Sequence, residues 1–504
     1  MTLAAARPLY DAEGMRELDA RALRLPGRGD GMLMETAGFA LWEALRKHFP
    51  AIRVLGILCG PGNNGGDGFV LARLAREAGW QVIVHASDAS SRAPADAQRA
   101  RARWCEGGGQ IEELEGFAPD AAELWVDCLF GIGMNAAPRA PYAALIERLN
   151  RSARPVMAAD VPSGVDSSTG NVPGVAVRAV CTVTMIADKP GLHTGPAVDH
   201  VGAVEVADLG LPATMGDGVE SVANRLTLAD TVGALPRCHL AAHKGDFGDV
   251  LVLGGAPGYS GAARLSARAA LRAGAGRVTL LTHPEHAAFA NIDRPELMVR
   301  AIREPSDLPG LLVGNPILVV GPGLGLDAWG RRLWTALADR ELPMVVDADA
   351  LTWLARFPRY SSRWILTPHP GEAARLLGIS AQEINADRVA AVRALQRRYG
   401  GVVLLKGAGT LVCGEAATKG FGQVFCLDRG CPGMATAGMG DVLAGLLGAL
   451  LARGLGDLEA ACFGGNWHIA AAQLALRQCK AARGALAAEV ADHLPEAMFA
   501  GVSA

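Results

Sequence analysis

Residues 430–441 read Gly430-Cys431-Pro432-Gly433-Met434-Ala435-Thr436-Ala437-Gly438-Met439-Gly440-Asp441, rich in glycine and uncharged until Asp441. Residues 442–452 are then small and apolar without interruption, which reads as a buried helix. Gly438, Met439 and Gly440 therefore sit at a helix N-terminus, where unpaired backbone N–H groups and the helix dipole favour an anion. Glycine lets the backbone approach that anion closely. Asp441, in the first turn, is a lone carboxylate beside an expected phosphate site. It is suited to take a proton from a hydroxyl that attacks phosphorus. A plainer reading stays open, in which Asp441 only stabilises the first turn of the helix.

Composition narrows the setting. A chain of 504 residues has room for two or three domains at ~150 residues each. Hydrophobic residues make up 50% and charged residues 20%, the balance of a packed globular protein. The net charge is −3, with no basic block, which argues against nucleic acid as a partner. No apolar run reaches the ~20 residues that cross a bilayer, and the first residues lack the pattern of a signal peptide. Ten scattered cysteines without a Cys-x-x-Cys pair read as buried thiols in a reducing compartment. The expectation is a cytoplasmic protein with small-molecule substrates and no membrane partner. Self-association into a homo-oligomer through exposed helices is expected as well.

In the first half, helical periodicity covers 11–24 and 33–49, and a short buried strand covers 53–58. Gly60-Pro61-Gly62-Asn63-Asn64-Gly65-Gly66-Asp67-Gly68 follows, and a helix is expected over 69–78. Strand, glycine loop and helix form the context of a dinucleotide-binding loop. Residues 60–65 even match G-x-G-x-x-G, with Asp88 after the next strand. Asn63, Asn64 and Asp67 argue against a nicotinamide dehydrogenase and for a sugar, amide or cation. Two more strand ends carry polar residues: Asp127, and Asp160 with Ser163. Ligands bind outside the carboxyl ends of parallel strands. Asn64, Asp127 and Ser163 can converge there as oxygen ligands whose few charges suit a monovalent cation. Loop capping is the alternative for Asp127 and Asp160.

These motifs resemble the NAD(P)H-hydrate epimerase family across residues 10–211. The resemblance rests on the glycine–asparagine run, on Val126-Asp127 with Phe-Gly-x-Gly, and on Asp160-Val161-Pro162-Ser163-Gly164-Val165-Asp166. It implies a Rossmann-like three-layer domain over residues 1–215 that interconverts the R and S hydrates at nicotinamide C6. It implies K⁺ at Asn64, Asp127 and Ser163. Substrate contacts would come from Asn63, Asn64, Gly65, Gly66 and Asp67, from the loop Gly131, Ile132, Gly133, Met134, Asn135, Ala136 and Ala137, and from Asp160. Asp160 is also the candidate proton-transfer group.

Residues 212–224 are small and polar and read as a linker, after which strands and helices alternate again. The later strands end in glycines, acids or basic residues: Gly321-Pro322-Gly323-Leu324-Gly325, Asp347-Ala348-Asp349, Thr367-Pro368-His369-Pro370-Gly371-Glu372, and Lys406-Gly407-Ala408-Gly409-Thr410. Lys406 is placed to neutralise nucleotide phosphates, or else only to extend its amine to solvent from a strand end. His369, held between two prolines, reads as structural on its own.

In this order the motifs resemble the ribokinase-like fold, and more closely its NAD(P)H-hydrate dehydratase branch, over 225–498. The resemblance implies a ribokinase-like α/β domain over 225–504. It implies nucleotide contacts at Lys406, Gly407, Ala408, Gly409, Thr410 and Gly440, and hydrate contacts at Ala262, Gly323, His369 and Asp441. Cys431 departs from the branch, which usually has Asn before Pro432. The branch implies that ADP, with ATP as the other candidate, phosphorylates the C6 hydroxyl of the S hydrate in the presence of Mg²⁺. Loss of phosphate then regenerates NADH or NADPH. Two readings stay open beside it. One is a ribokinase-like small-molecule kinase fused to a dinucleotide-binding module; the other is a first half that binds without catalysing.

Overall fold

The computed structural model describes residues 6–29, 31–87, 93–235, 239–415, 422–480 and 484–502. Asp88 lies outside the described residues. The chain divides into two compact units, one of Pro8–Ala223 and the other of Asn224–Ala504 together with the residues before Pro8. Both are α/β.

In the first unit six strands stand in the spatial order Gln81–Ala86, Val54–Cys59, Leu124–Cys128, Val156–Ala159, Cys181–Met185 and Ala203–Ala207, every pair parallel. Successive side chains of a strand point to opposite faces. Leu55, Ile57 and Cys59 therefore pack on one side of the sheet with the helices Met32–His48 and Asn63–Glu77. Leu58 and Trp125 pack on the other with the helix Tyr142–Arg151. A sheet covered on both faces is the three-layer arrangement that parallel strands require.

The helix expected over 69–78 begins earlier, at Asn63, with Gly62 as its N-cap. The presumed glycine loop is its first two turns. The glycines there allow contact with the sheet rather than wrap a ligand. A Cβ on Gly65 would lie 2.0 Å from the Gly60 carbonyl oxygen, and one on Gly68 would lie 2.8 Å from Cys59 Sγ. Residues 212–222 are not a free linker. Arg21 Nη1 donates to the carbonyls of Met215 and Asp217, and Val219 is buried with Tyr10, Met15 and Leu18.

The second sheet runs Ala223–Arg225, Val424–Cys426, Leu411–Cys413, Val402–Leu405, Trp364–Leu366, Met344–Val346, Ile317–Val320, Asp249–Leu253, Arg277–Thr282 and Met298–Ala301. Only Leu411–Cys413 is antiparallel to its neighbours among these. Four of these strands, Ala223–Arg225, Met298–Ala301, Leu411–Cys413 and Val424–Cys426, each of three or four residues, have no counterpart among the strands expected from the sequence.

The helix Met439–Ala452 is buried along nearly its whole length, as its composition predicts. It packs on the helix Ser260–Arg272 so closely that a Cβ on Gly445 would lie 1.9 Å from the Ser266 carbonyl oxygen. A backbone contact cannot yield as a side chain can. Gly445→Ala is therefore expected to destabilise the second unit by about 3 kcal/mol, the upper end for overpacking. Calorimetry should show that unit's transition lowered and the first unit's unmoved.

Candidate active sites

A cavity of about 650 Å³ opens at the carboxyl ends of the first sheet. Asn63, Asn64, Asp67, Gly131, Ile132, Gly133, Met134 and Asp160 line it. Gly65 and Gly66 are buried in helix packing behind the wall. Asn135, Ala136 and Ala137 are exposed and do not line the cavity.

The three expected oxygen donors are linked through Phe130, which lines the cavity, while Asp127 and Ser163 are buried and do not line it. Ser163 Oγ donates to Asp127 Oδ1 at 2.7 Å, and Ser163 N donates to Asp127 Oδ2 at 2.8 Å. Phe130 N donates to Ser163 Oγ, and Asn64 Nδ2 donates to the Phe130 carbonyl at 3.0 Å. Asn64 Oδ1 is buried with no hydrogen-bond partner. Burial raises the Asp127 pKa to about 6 against the hydrogen bonds from Ser163 and Leu129 that lower it.

Asp160 follows the strand Val156–Ala159 with φ of 64°, unusual for a residue other than glycine. Its N–H donates to the Val183 carbonyl at 2.7 Å, which holds that strained turn. Its Oδ1 lies 2.9 Å from Nζ of Lys189, a lysine with no exposed surface. Lys189 also donates to Thr184 Oγ1 and to the carbonyls of Met185 and Ala187. Burial, then Asp160 and Asp19, push the Asp67 carboxyl well above the usual range.

The second cluster forms where consecutive parallel strands end. Lys406 follows Val402–Leu405, Thr367 follows Trp364–Leu366, and Asp347 follows Met344–Val346. Lys406 Nζ donates to Asp347 Oδ1 at 2.7 Å and lies 3.8 Å from Glu372 Oε2. Thr367 Oγ1 donates to the same Asp347 oxygen. A Cβ on Gly440 would stand 3.1 Å from Lys406 Nζ, so the first turn of Met439–Ala452 rests on this lysine.

Charges set the titration here. Burial raises Asp441 to about 7; Asp347 adds to that, Lys406 opposes it, and Asp349 and Glu372 add more. Glu372 is raised by burial as well, with Lys406 opposing. Burial works to lower Lys406, but Asp347, Glu372 and Asp441 outweigh it and hold the ammonium charged.

His369 caps the helix Pro370–Leu377, and its Nδ1 accepts from the N–H groups of Gly371 and Glu372. That leaves Nε2 to carry the proton and to meet a ligand. Burial, with Lys406 and Arg375, keeps its pKa below the usual value. Gly323 has φ of 58° and packs on Tyr259, beside Ala262. Cys431 is the N-cap of the turn Pro432–Met434 without a side-chain cap bond, packed against the core.

The chain matches known proteins along almost its whole length. Residues 250–496 match the family model described as NAD(P)H-hydrate dehydratase, and 30–191 the one described as YjeF-related protein N-terminus. A bifunctional NAD(P)H-hydrate repair enzyme of Coxiella burnetii is 41% identical over 488 residues, 96% of this chain and 98% of its own. The chain belongs to this family. An Escherichia coli member is 41% identical over 466 residues, 92% of this chain and 89% of its own. A ribokinase-like superfamily protein of Enterococcus faecalis shares the fold of the second unit. It aligns with TM-score 0.50 and 24% identity, covering 55% of this chain and 95% of its own. As a bifunctional NAD(P)H-hydrate repair enzyme, the chain couples an epimerase domain to a dehydratase domain. No described helix is long and apolar enough to cross a membrane.

Sequence reasoning about this repair enzyme missed several residues that hold the sites together. Lys189 was given no role, and Asp347, Thr367 and Glu372 were only strand ends. Arg388 had no signal at all. It is buried on the helix Arg388–Tyr399, and its Nη2 donates to the carbonyls of Leu405 and Lys406 at 3.2 and 3.1 Å. Those bonds pin the turn that carries Lys406 through Thr410. Arg388→Met removes both bonds and should cost about 1–3 kcal/mol. Hydrogen exchange should show faster opening at 405–410.

Proposed function

We propose that the second unit dehydrates the S hydrate by phosphoryl transfer, with Asp441 as the base. One observation carries the reading: the Asp441 carboxyl stands in the first turn of Met439–Ala452, near enough to the Lys406 ammonium for their charges to interact. Asp441 takes the proton of the C6 hydroxyl, and the hydroxyl oxygen attacks the terminal phosphoryl group of ADP. AMP leaves. Phosphate, a far better leaving group than hydroxide, then departs as the ring nitrogen supplies its lone pair, and loss of a proton from C5 restores the C5=C6 double bond and returns the electrons to nitrogen. The amides at Gly438, Met439 and Gly440 offset charge developing on the transferred group. Lys406 and the turn Gly407, Ala408, Gly409 and Thr410 face the nucleotide. Nε2 of His369, Ala262 and Gly323 face the hydrate. Mg²⁺ would travel with the nucleotide phosphates, since no cluster of three His, Cys, Asp or Glu is placed for a metal among the described residues.

In the first unit, Asp160 moves the proton that epimerisation requires, and Asn63, Asn64, Asp67 and the residues 131–134 surround the hydrate. The donor set fits a monovalent cation. The orphaned Asn64 Oδ1 and the buried Asp127 carboxylate together lack one positive partner. K⁺ held by Asn64, Asp127 and Ser163 would supply that charge. One chain then repairs the whole pool, because the epimerase converts R hydrate into the form the dehydratase consumes. The absence of disulfides among the described cysteines accords with a cytoplasmic setting, and self-association is testable by sedimentation.

Recovery of reduced-nicotinamide absorbance from mixed R and S NADH hydrate tests both assignments. With ADP, Mg²⁺ and K⁺ the wild type should recover all of it, Asp160→Asn only the S share, and Asp441→Asn none. No recovery with either ADP or ATP would point instead to a small-molecule kinase. The dehydration rate should rise with pH and reach half its maximum near 7. Below that the Asp441 carboxyl is protonated and cannot accept a proton.

A further inference from the structure

The first cavity contains a carboxyl that no sequence motif marks. Met15, Asp19 and Leu23 recur one turn apart on the helix Ala12–Leu23 and line the cavity as one face. Arg16 of the same helix also lines the cavity, while two other charged groups hold the helix in place. Asp11 caps it, and Arg21 holds Glu17 and the carbonyls of Met215 and Asp217. Asp19 has no hydrogen bond and no ion pair among the described residues.

Inverting C6 by exchange of water needs a proton donor on one face and an acceptor on the other, as in inverting glycosidases. One carboxyl cannot serve both faces. Asp160 comes from a strand end of the sheet and Asp19 from a different element around the same cavity. We propose that Asp19 is the second catalytic residue of the epimerase, exchanging protons with the substrate oxygen opposite Asp160. The inference rests on the epimerase reading of this cavity.

The step balances. The nitrogen lone pair forms the N1=C6 bond as the C6–O bond breaks. The departing hydroxyl takes a proton from one carboxyl and leaves as water. A second water adds to the other face of the planar C6, and the N1=C6 electrons return to nitrogen. That water gives its proton to the other carboxyl. The two groups thus swap protonation states, and the reverse reaction runs from the swapped pair.

The two carboxyls sit in different surroundings. Lys189 Nζ pairs with Asp160 Oδ1 at 2.9 Å. Burial, then the Asp160 charge, raise Asp19 to about 6, with Lys189 pulling the other way. Asp67 is also on the cavity wall, but it is only 9% exposed, too enclosed to exchange a proton with solvent at each turnover. Asp19 is only half-buried and retains that route.

The test is Asp19→Asn in the full chain, assayed on purified R hydrate without nucleotide so that only epimerisation is read. The expected result is kcat lower by roughly 10²- to 10⁴-fold, the usual worth of a general acid or base, with KM held. Asp19→Glu should recover part of the rate. In ¹⁸O-labelled water the wild type should take the label into the C6 hydroxyl as it inverts, and the variant should lose both together. Full kcat in Asp19→Asn overturns the proposal and leaves Asp160 standing. A loss that Asp19→Glu does not recover, with a lowered unfolding temperature, marks a packing role and overturns it too. An Asp160→Asn variant that is also fully active would sink the epimerase reading itself.

Discussion

Each unit buries several carboxylates at the carboxyl end of its sheet and sets a lysine among them. Lys189 meets Asp160 close to Asp19 and Asp67; Lys406 meets Asp347 close to Glu372 and Asp441. A buried carboxylate costs several kcal/mol unless it is paired or hydrogen-bonded. The lysine pairs with one acid, and burial raises the pKa of the others. Carboxyls of unlike surroundings then share one site, which is what proton-transfer chemistry needs.

Close packing makes that arrangement rigid. The helices Asn63–Glu77 and Met439–Ala452 both approach their neighbours through glycines whose Cβ atoms would strike backbone carbonyls. Helices seated that closely carry Asn64 and Asp441 to fixed points over the strand ends. Arg388 does the same for the 405–410 turn, and His369 holds its helix by giving its Nδ1 to two backbone N–H groups. A site built on such elements changes little in shape when its ligand arrives.

The alternation of apolar strands with glycine-rich turns made the α/β class legible, and the long uncharged run 442–452 made its helix legible. The strands at 223–225, 298–301, 411–413 and 424–426 were not, because so short a run has no measurable period and, unlike the equally short Met344–Val346 and Trp364–Leu366, they end in no motif that marks them. The start of the helix at Asn63 was also hidden. Two asparagines and three glycines have poor helix propensity, and only contact with the sheet outweighs it. Asp127 and Asp160 stood out at strand ends. Asp19 did not, since a carboxylate within an amphipathic helix looks like any solvated side chain.

The sequence by itself determined two α/β units, their order, and the motifs that tie them to hydrate repair. It did so because strand, turn and helix signals are local and survive without coordinates. Only the tertiary structure decided which charges meet. Lys189 with Asp160, Lys406 with Asp347, and Arg388 with the 405–410 carbonyls are pairs brought together by the folded chain. Their electrostatics depend on burial and on distances of a few ångströms, and no spacing along the chain encodes either.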